Sequence, residues 1–162
     1  MSNAETQSKT IIGIVDQTVV QLFQTMVSLE ATPGAGSTNA PRTTVFSGMS
    51  GSVGLSGRVT GIVYATFSEQ TAKHIAEKIL GCGVGEAEMT DAVGELTNMV
   101  SGNLKSRLCD LGFNCSLSIP SVVRGESIRV SAKNAALGVS NEYTLEGFDR
   151  PVSVHVYATF EN

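Results

Sequence analysis

Residues 91–106 read DAVGELTNMVSGNLKS. Wound at about 100° per residue, Ala92, Val93, Leu96, Met99, Val100 and Leu104 gather on one broad side, which marks a helix with one face in a core. Asp91, Glu95, Asn98, Gly102 and Lys105 fall opposite as a narrow polar stripe, with Gly94 at its edge. Glu95 and Asn98 are three residues apart, so their side chains are surface neighbours. A solvated helix face accounts for Asp91 through the field of the first turn and for Lys105 through that of a later one. It does not account for the glycines, since Gly94 and Gly102 each cost a helix interior about 1 kcal/mol relative to alanine. Asn98 is also a mediocre helix former. The loss makes sense if another surface must come close to the backbone there.

The spacing predicts this helix from about Thr90, with Thr90 or a neighbour as its cap, to Leu111, with Gly112 as its stop. Upstream, SEQTAKHIAEKILG opens on the cap candidate Ser68, sets Ala72, Ile75, Ala76, Ile79 and Leu80 on one side and ends at Gly81, a second helix. Before it, TTVFSGMSG and GRVTGIVYATF are β-rich and read as an antiparallel hairpin joined near SVGLSG. The glycines at 48, 51, 54 and 57 lack proline and a terminal GK[ST], so turns and bulges are expected rather than collagen or a phosphate loop. Ile11, Ile12, Val15, Val19, Leu22, Phe23, Met26 and Leu29 recur at threes and fours, predicting a long helix over 9–30. ATPGAGSTNAPR after it reads as a flexible connection. Downstream, FNCSLSIPSVV, SIRVSA, EYTLEGF and PVSVHVYATF are short and alternating, broken by Pro120, Gly125 and Pro151, and read as strands completing a sheet.

VYATF occurs at 63–67 and again at 156–160, and TMVS at 25–28 is echoed by NMVS at 98–101. These echoes point to two pseudo-equivalent halves. The expected fold class is α+β, two long helices and a shorter one packed on an extended antiparallel sheet. Residues 1–8 read as a disordered start or tag remnant, and 9–162 as a single domain.

Forty-one per cent hydrophobic and 16% charged residues fit a folded chain. A net charge of −4 with scattered lysines and arginines offers no footprint for nucleic acid. The sequence holds no apolar run of about eighteen residues and no basic region leading into an apolar block, so neither a membrane span nor a signal peptide is expected, and the cytoplasm is the expected location. Cys82, Cys109 and Cys115 form no CxxC pair and have no histidine at ligand spacing, so buried free thiols are expected rather than a zinc site or disulfides. His74 and His155 have no triad partner evident in the sequence, and Tyr64 and Tyr157 read as sheet residues.

An exposed carboxylate and amide on a flat helix face cannot perform nucleophilic or metal chemistry alone. They can complete a site on a partner: the carboxylate anchors a lysine, and the amide, donor and acceptor at once, holds a water in line for attack on a phosphoryl group. In this stretch the sequence resembles the signature helix of the CheC/CheX/FliY chemotaxis phosphatases, with Asp91, Glu95, Asn98 and Pro120 filling the pattern and the following Gly102, Asn103 and Lys105 closest to the CheX branch.

The resemblance implies a CheC-like fold and a phosphatase that acts on a phosphorylated CheY-type response regulator, with Asn98 orienting the attacking water and Glu95 pairing with a lysine of the regulator. Asp91, Gly94, Gly102 and Lys105 would contact the partner. The chain itself would bind no metal or cofactor, the Mg2+ being held in the regulator's site. Setting TMVS against NMVS places Leu22 and Thr25 where Glu95 and Asn98 stand, so the first helix would be inactive. One site per chain and a homodimer are what the CheX resemblance implies. The rival reading is a noncatalytic regulator-binding module of the same fold.

Overall fold

Val63 of one VYATF segment lies directly opposite Val156 of the other, on neighbouring antiparallel strands in the middle of the sheet. The structure, a computed structural model, describes residues 3–81 and 83–162. Along the chain run α1 (Asn3–Leu22), continued by a π-helical turn (Phe23–Val27), then β1 (Ala31–Pro33), β2 (Thr43–Gly57), β3 (Val59–Phe67), α2 (Glu69–Leu80), α3 (Glu86–Asp110), β4 (Cys115–Leu117), β5 (Ser121–Ser131), β6 (Leu137–Leu145) and β7 (Val152–Phe160). Among the described residues the sheet has seven strands in the order β1-β6-β7-β3-β2-β4, with β5 sharing the outer edge of β2.

The two halves are legible in that order. β3 answers to β7, β2 to β6, and short β1 to short β4, so each half lends its first strand to the second strand of the other. The duplication read from VYATF is therefore a pseudo-twofold centred on Val63 and Val156, and β5 has no counterpart in it.

Alternation along the strands sorts the sheet into two faces. Val59, Val63, Ala65 and Phe67 of β3 and Val152, Val154, Val156 and Ala158 of β7 point to the helices and join Ile11, Val15 and Val19 of α1, Ile75 of α2 and Val93, Leu96, Val100, Leu104 and Leu108 of α3. On the other face Tyr64 and Tyr157 are buried with Ala40, under Ile62, Val130, Ala132 and Ala135. His155 stacks on Tyr64 at 4.5 Å and on Tyr157 at 6.2 Å. The Tyr157 hydroxyl donates to Pro41 O at 2.5 Å, and the Arg42 guanidinium lies 5.7 Å over its ring.

Several boundaries differ from the sequence expectations, each for a physical reason. α1 begins at Asn3 rather than Lys9, and Ser8 is buried, so the disordered start expected at 1–8 does not hold for its residues 3–8; Met1 and Ser2 lie outside the described residues. The first helix leaves α geometry at Leu22, and Ser28 closes it in the left-handed region at φ 55°. The segment expected to be a flexible connection holds β1 and is fastened to β6 by Gly34 N to Glu142 O (2.7 Å) and Ala40 N to Gly138 O (3.0 Å). Buried Asn141 adds a bond from Nδ2 to Gly34 O at 3.1 Å and another to Asp16 Oδ1 at 3.0 Å. SVGLSG is part of β2, and the reversal falls at Gly57, whose φ is +130°. Gly125 does not interrupt β5.

Ser68 caps α2 as expected, its Oγ accepting from Thr71 N at 3.1 Å. Leu80, expected on the buried side, is 51% exposed in the last turn. Cys109 and Cys115 are free, Cys115 being buried, and Cys82 lies outside the described residues. Residues Asn3–Val27 have the length and mean hydropathy (1.2) of a membrane-crossing helix, but their apolar stripe is spent on α3 and the sheet.

Candidate functional site

α3 starts four residues before the expected Thr90. Gly85 caps it, and its N–H donates to Glu88 Oε2 at 3.0 Å, so Glu86 and Glu88 occupy the first turn. Thr90 is instead inside the helix, its hydroxyl donating to Glu86 O at 2.9 Å. This removes the bland account of Asp91: dipole stabilisation fades within the first turn, and Asp91 stands beyond it, exposed.

Three features set the roll of α3. On its inner side Gly51 of β2 lies so close that a Cβ there would fall 2.1 Å from Thr97 Oγ1 and 3.2 Å from Val93 O. Only glycine lets the helix seat that low on the sheet. Thr97 and Ser101, both buried, return their hydroxyls to Val93 O (2.8 Å) and Thr97 O (2.7 Å), so no polar atom is stranded at that contact. Along one flank Asn103 Nδ2 donates to Thr18 Oγ1 of α1 at 2.7 Å. Near the start, Arg124 of β5 pairs with Glu69 of α2 at 2.6 Å and Glu86 of α3 at 3.0 Å, which holds the Glu69 carboxyl below its usual range.

With the helix so fixed, Asp91, Glu95 and Asn98 are exposed in one row, and Gly102 and Lys105 are half-buried at its far end. A Cβ on Gly102 would meet nothing within 4 Å, so the backbone there is open to an approaching surface. Gly94 is different. It is buried, and its would-be Cβ lies 3.5 Å from Val122 Cγ2 and 4.0 Å from Pro120 Cγ. The surface that closes on Gly94 belongs to this chain, which corrects the expectation that Gly94 meets a partner. Pro120 thus borders the row from β5's side. Met99, expected in the core, is only half-buried.

The arrangement is flat, and the large concavities lie elsewhere. A cleft of 560 Å³ sits by Ser68 and Asp149, and one of 410 Å³ by Glu142 and His155. Among the described residues no three His, Cys, Asp or Glu side chains gather where they could share a metal ion.

The histidines add no second centre. His74 packs edge-on against Phe148 at 5.1 Å. His155 does have a serine at hand, Ser153 Oγ 3.3 Å from Nε2, which the sequence reading overlooked. Its buried Nδ1 has no hydrogen-bond partner to orient the ring, however, and burial lowers its pKa to about 4. A nucleophile–base pair lacking its third member is a poor catalyst.

What sequence reasoning missed is the support: Gly51 beneath Thr97, and the Glu88 cap that moves the helix start. The four evenly spaced glycines from 48 to 57 were the available signal.

Known proteins resemble this chain in sequence and in fold. Residues 49–142 match the family model described as chemotaxis phosphatase CheX. The CheY-P phosphatase CheX of Thermotoga maritima is 28% identical over 107 residues, which cover 63% of this chain and 68% of that protein. Among solved structures, the chemotaxis protein CheX of Desulfovibrio desulfuricans superposes with a TM-score of 0.81 at 22% identity, over 93% of this chain and 99% of that one. CheX from a CheX–CheY–BeF3–Mg2+ complex of Borrelia burgdorferi superposes with a TM-score of 0.74 at 20% identity, over 91% and 97%.

Proposed function

The chain belongs to the chemotaxis phosphatase CheX family, and on that premise we propose that it dephosphorylates a phosphorylated CheY-type response regulator. The observation that carries the reading is the row of exposed Glu95 and Asn98 on a rigidly seated, flat helix. A flat face suits a substrate that is itself a protein and brings its own reacting centre. The Thermotoga maritima relative is named for this activity, and the Borrelia burgdorferi neighbour was solved with CheY.

The regulator presents an aspartyl phosphate, with its Mg2+ neutralising the phosphoryl oxygens. Water attacks phosphorus, the bond from phosphorus to the aspartate oxygen breaks, the regulator's aspartate side chain is regenerated as a carboxylate, and inorganic phosphate leaves carrying the water's oxygen and protons. The Asn98 amide accepts a hydrogen bond from the water through its oxygen and donates through its nitrogen, which fixes the line of attack. The Glu95 carboxylate pairs with a lysine of the regulator and fixes the docking angle. Asp91, Gly102 and Lys105 border the contact. No metal is needed from this chain. The setting is the cytoplasm and the working form a homodimer, which light scattering of the purified protein checks by its mass.

The decisive experiment follows loss of phosphate from a phosphorylated CheY-type regulator in Mg2+, with the wild-type protein and with Asn98→Ala and Glu95→Ala. Wild type accelerates the decay. Asn98→Ala binds the regulator yet loses about a hundredfold or more of the acceleration, the scale of removing one transition-state donor. Glu95→Ala loses rate chiefly through weaker docking. Binding by wild type without faster decay would leave a noncatalytic regulator-binding module.

A further inference from the structure

The row on α3 is polar along its whole exposed length, and a polar row offers a partner little to bury. Stable recognition of a protein surface needs an apolar anchor that is desolvated on contact, ringed by groups that keep water out. The molecule has such a group beside the row. Ile119, in the β4–β5 connection, is 85% exposed, whereas the other exposed large apolar side chains, Val45, Leu80, Leu111 and Val123, lie between 49% and 57%.

Ile119 is not a loose loop tip. Ser118 N donates to Gly54 O at 2.9 Å, and Ser118 Oγ accepts from Gly54 N at 2.8 Å and donates to Ile119 O at 3.0 Å. On its other side the exposed Pro120 stands near α3, its Cγ 4.0 Å from where a Cβ on Gly94 would lie. The backbone at Ile119 is thereby held by hydrogen bonds on the Ser118 side and followed by the fixed φ of Pro120. Gly94 and Asn98 are four residues apart, about 40° round the helix axis, so the nearness of Pro120 to Gly94 sets the adjoining Ile119 on the Asn98 flank of the row. A side chain carried on backbone already held in place costs less backbone freedom when it binds, which is how a pre-organised contact adds affinity.

We propose that Ile119 is a docking and specificity residue for the phosphorylated response regulator, packing onto an apolar part of the regulator's surface next to its phosphorylation site. This rests on the function proposed above. Continuity with the Glu95 and Asn98 row selects that partner over a second copy of this chain. Because Ile119 stands beside the reacting centre and does not touch it, its contribution appears in KM and leaves kcat alone.

The test measures steady-state dephosphorylation over a range of regulator concentrations for wild type, Ile119→Asp, Ile119→Ala and Ile119→Leu, with the mass of each in solution. Ile119→Asp is expected to raise KM by about tenfold or more, Ile119→Ala by several-fold, and Ile119→Leu to stay near wild type, as for loss of a buried anchor. Their kcat values and masses stay as in wild type. An unchanged KM for Ile119→Asp overturns the proposal, and so does a change in its mass, which would make a second copy the occupant. If the wild-type protein fails to accelerate decay at all, the proposed function itself falls, a result distinct from either.

Discussion

The two halves of this molecule share a plan and differ in what they expose. α1 and α3 both lie on the sheet, joined by the bond from Asn103 to Thr18, and both carry a stretch ending in Met-Val-Ser. α3 holds α geometry throughout that stretch, with Glu95 and Asn98 in the open. α1 has Leu22 and Thr25 at the matching places. Leu22 is packed against the core, Thr25 returns its hydroxyl to Gln21 O at 2.8 Å, and the backbone widens into a π-helical turn. One copy of the plan leaves the position open for the chemistry proposed above, and the other turns it to packing and a backbone hydrogen bond. Duplication supplies a scaffold twice, but an exposed carboxylate and amide stabilise nothing, so only a copy used for function has a physical reason to carry them.

Exchanging the residues of the two helices tests that contrast at its largest. Asn98→Thr gives α3 the residue of α1 and should lose about a hundredfold or more of the phosphatase rate, with unfolding within about 0.5 kcal/mol of wild type because the site is exposed. Adding Leu22→Glu and Thr25→Asn should restore no activity and should lower stability in urea by about 1–3 kcal/mol, since a carboxylate replaces a packed leucine. Recovery of activity would mean that α1 is a dormant site and the comparison is wrong.

The seam between the halves offers a second exchange. Ile62 and His155 are pseudo-equivalent, each standing opposite a tyrosine, Tyr157 and Tyr64 respectively. Burial depresses His155 from an ordinary 6.5 to about 4. The unfolded chain therefore binds this proton first. Stability is complete above about pH 6.5 and falls as acid is added down to about pH 4, by about 3 kcal/mol at most. His155→Ile, which copies the first half, should remove roughly one proton from the acid slope of urea unfolding over that window. A slope identical to wild type would show the ring already shares its proton with a partner.

The smallest effects separate two glycines of the active half. Gly51→Ala drives a methyl into Thr97 and the backbone of Val93, and should destabilise by about 1–3 kcal/mol while lowering kcat by lifting α3. Gly94→Ala meets only ordinary van der Waals contact with Val122 and Pro120. Thermal unfolding should show it neutral or stabilised by up to about 1 kcal/mol. If Gly94→Ala is the more damaging, a partner and not this chain closes on that point.

Much of this was readable from residue types. Periodicity gave the three helices and their buried sides, VYATF located the seam, and the spacing of Asp91, Glu95 and Asn98 defined the exposed row. What escaped was set by contacts distant in sequence. The start of α3 depends on a Glu88 side chain reaching back to Gly85, a cap with no hydroxyl to advertise it. A glycine-rich run stayed in one strand because α3 needed Gly51 and β4 needed Gly57, whose absent Cβ atoms admit Thr97 and Asn114. Gly94 and Gly102 look alike on a helical wheel, and only the position of Pro120 tells them apart.

The exchange of first strands has a consequence for how the chain comes together. β1 closes its pairs at Ala31 with Leu145 and Pro33 with Tyr143, so on a growing polypeptide the N-terminal half cannot finish its own layer until β6 has been made. Pairings so distant in sequence raise the contact order and slow folding. The helix bearing Glu95 and Asn98 is synthesised in that interval, after the Gly51 and Thr18 it seats against and before Arg124 of β5. A nascent chain can therefore carry the exposed row while β1 still lacks its partner strand, and the β1–β6 pairs then join two interlocked repeats in a single sheet.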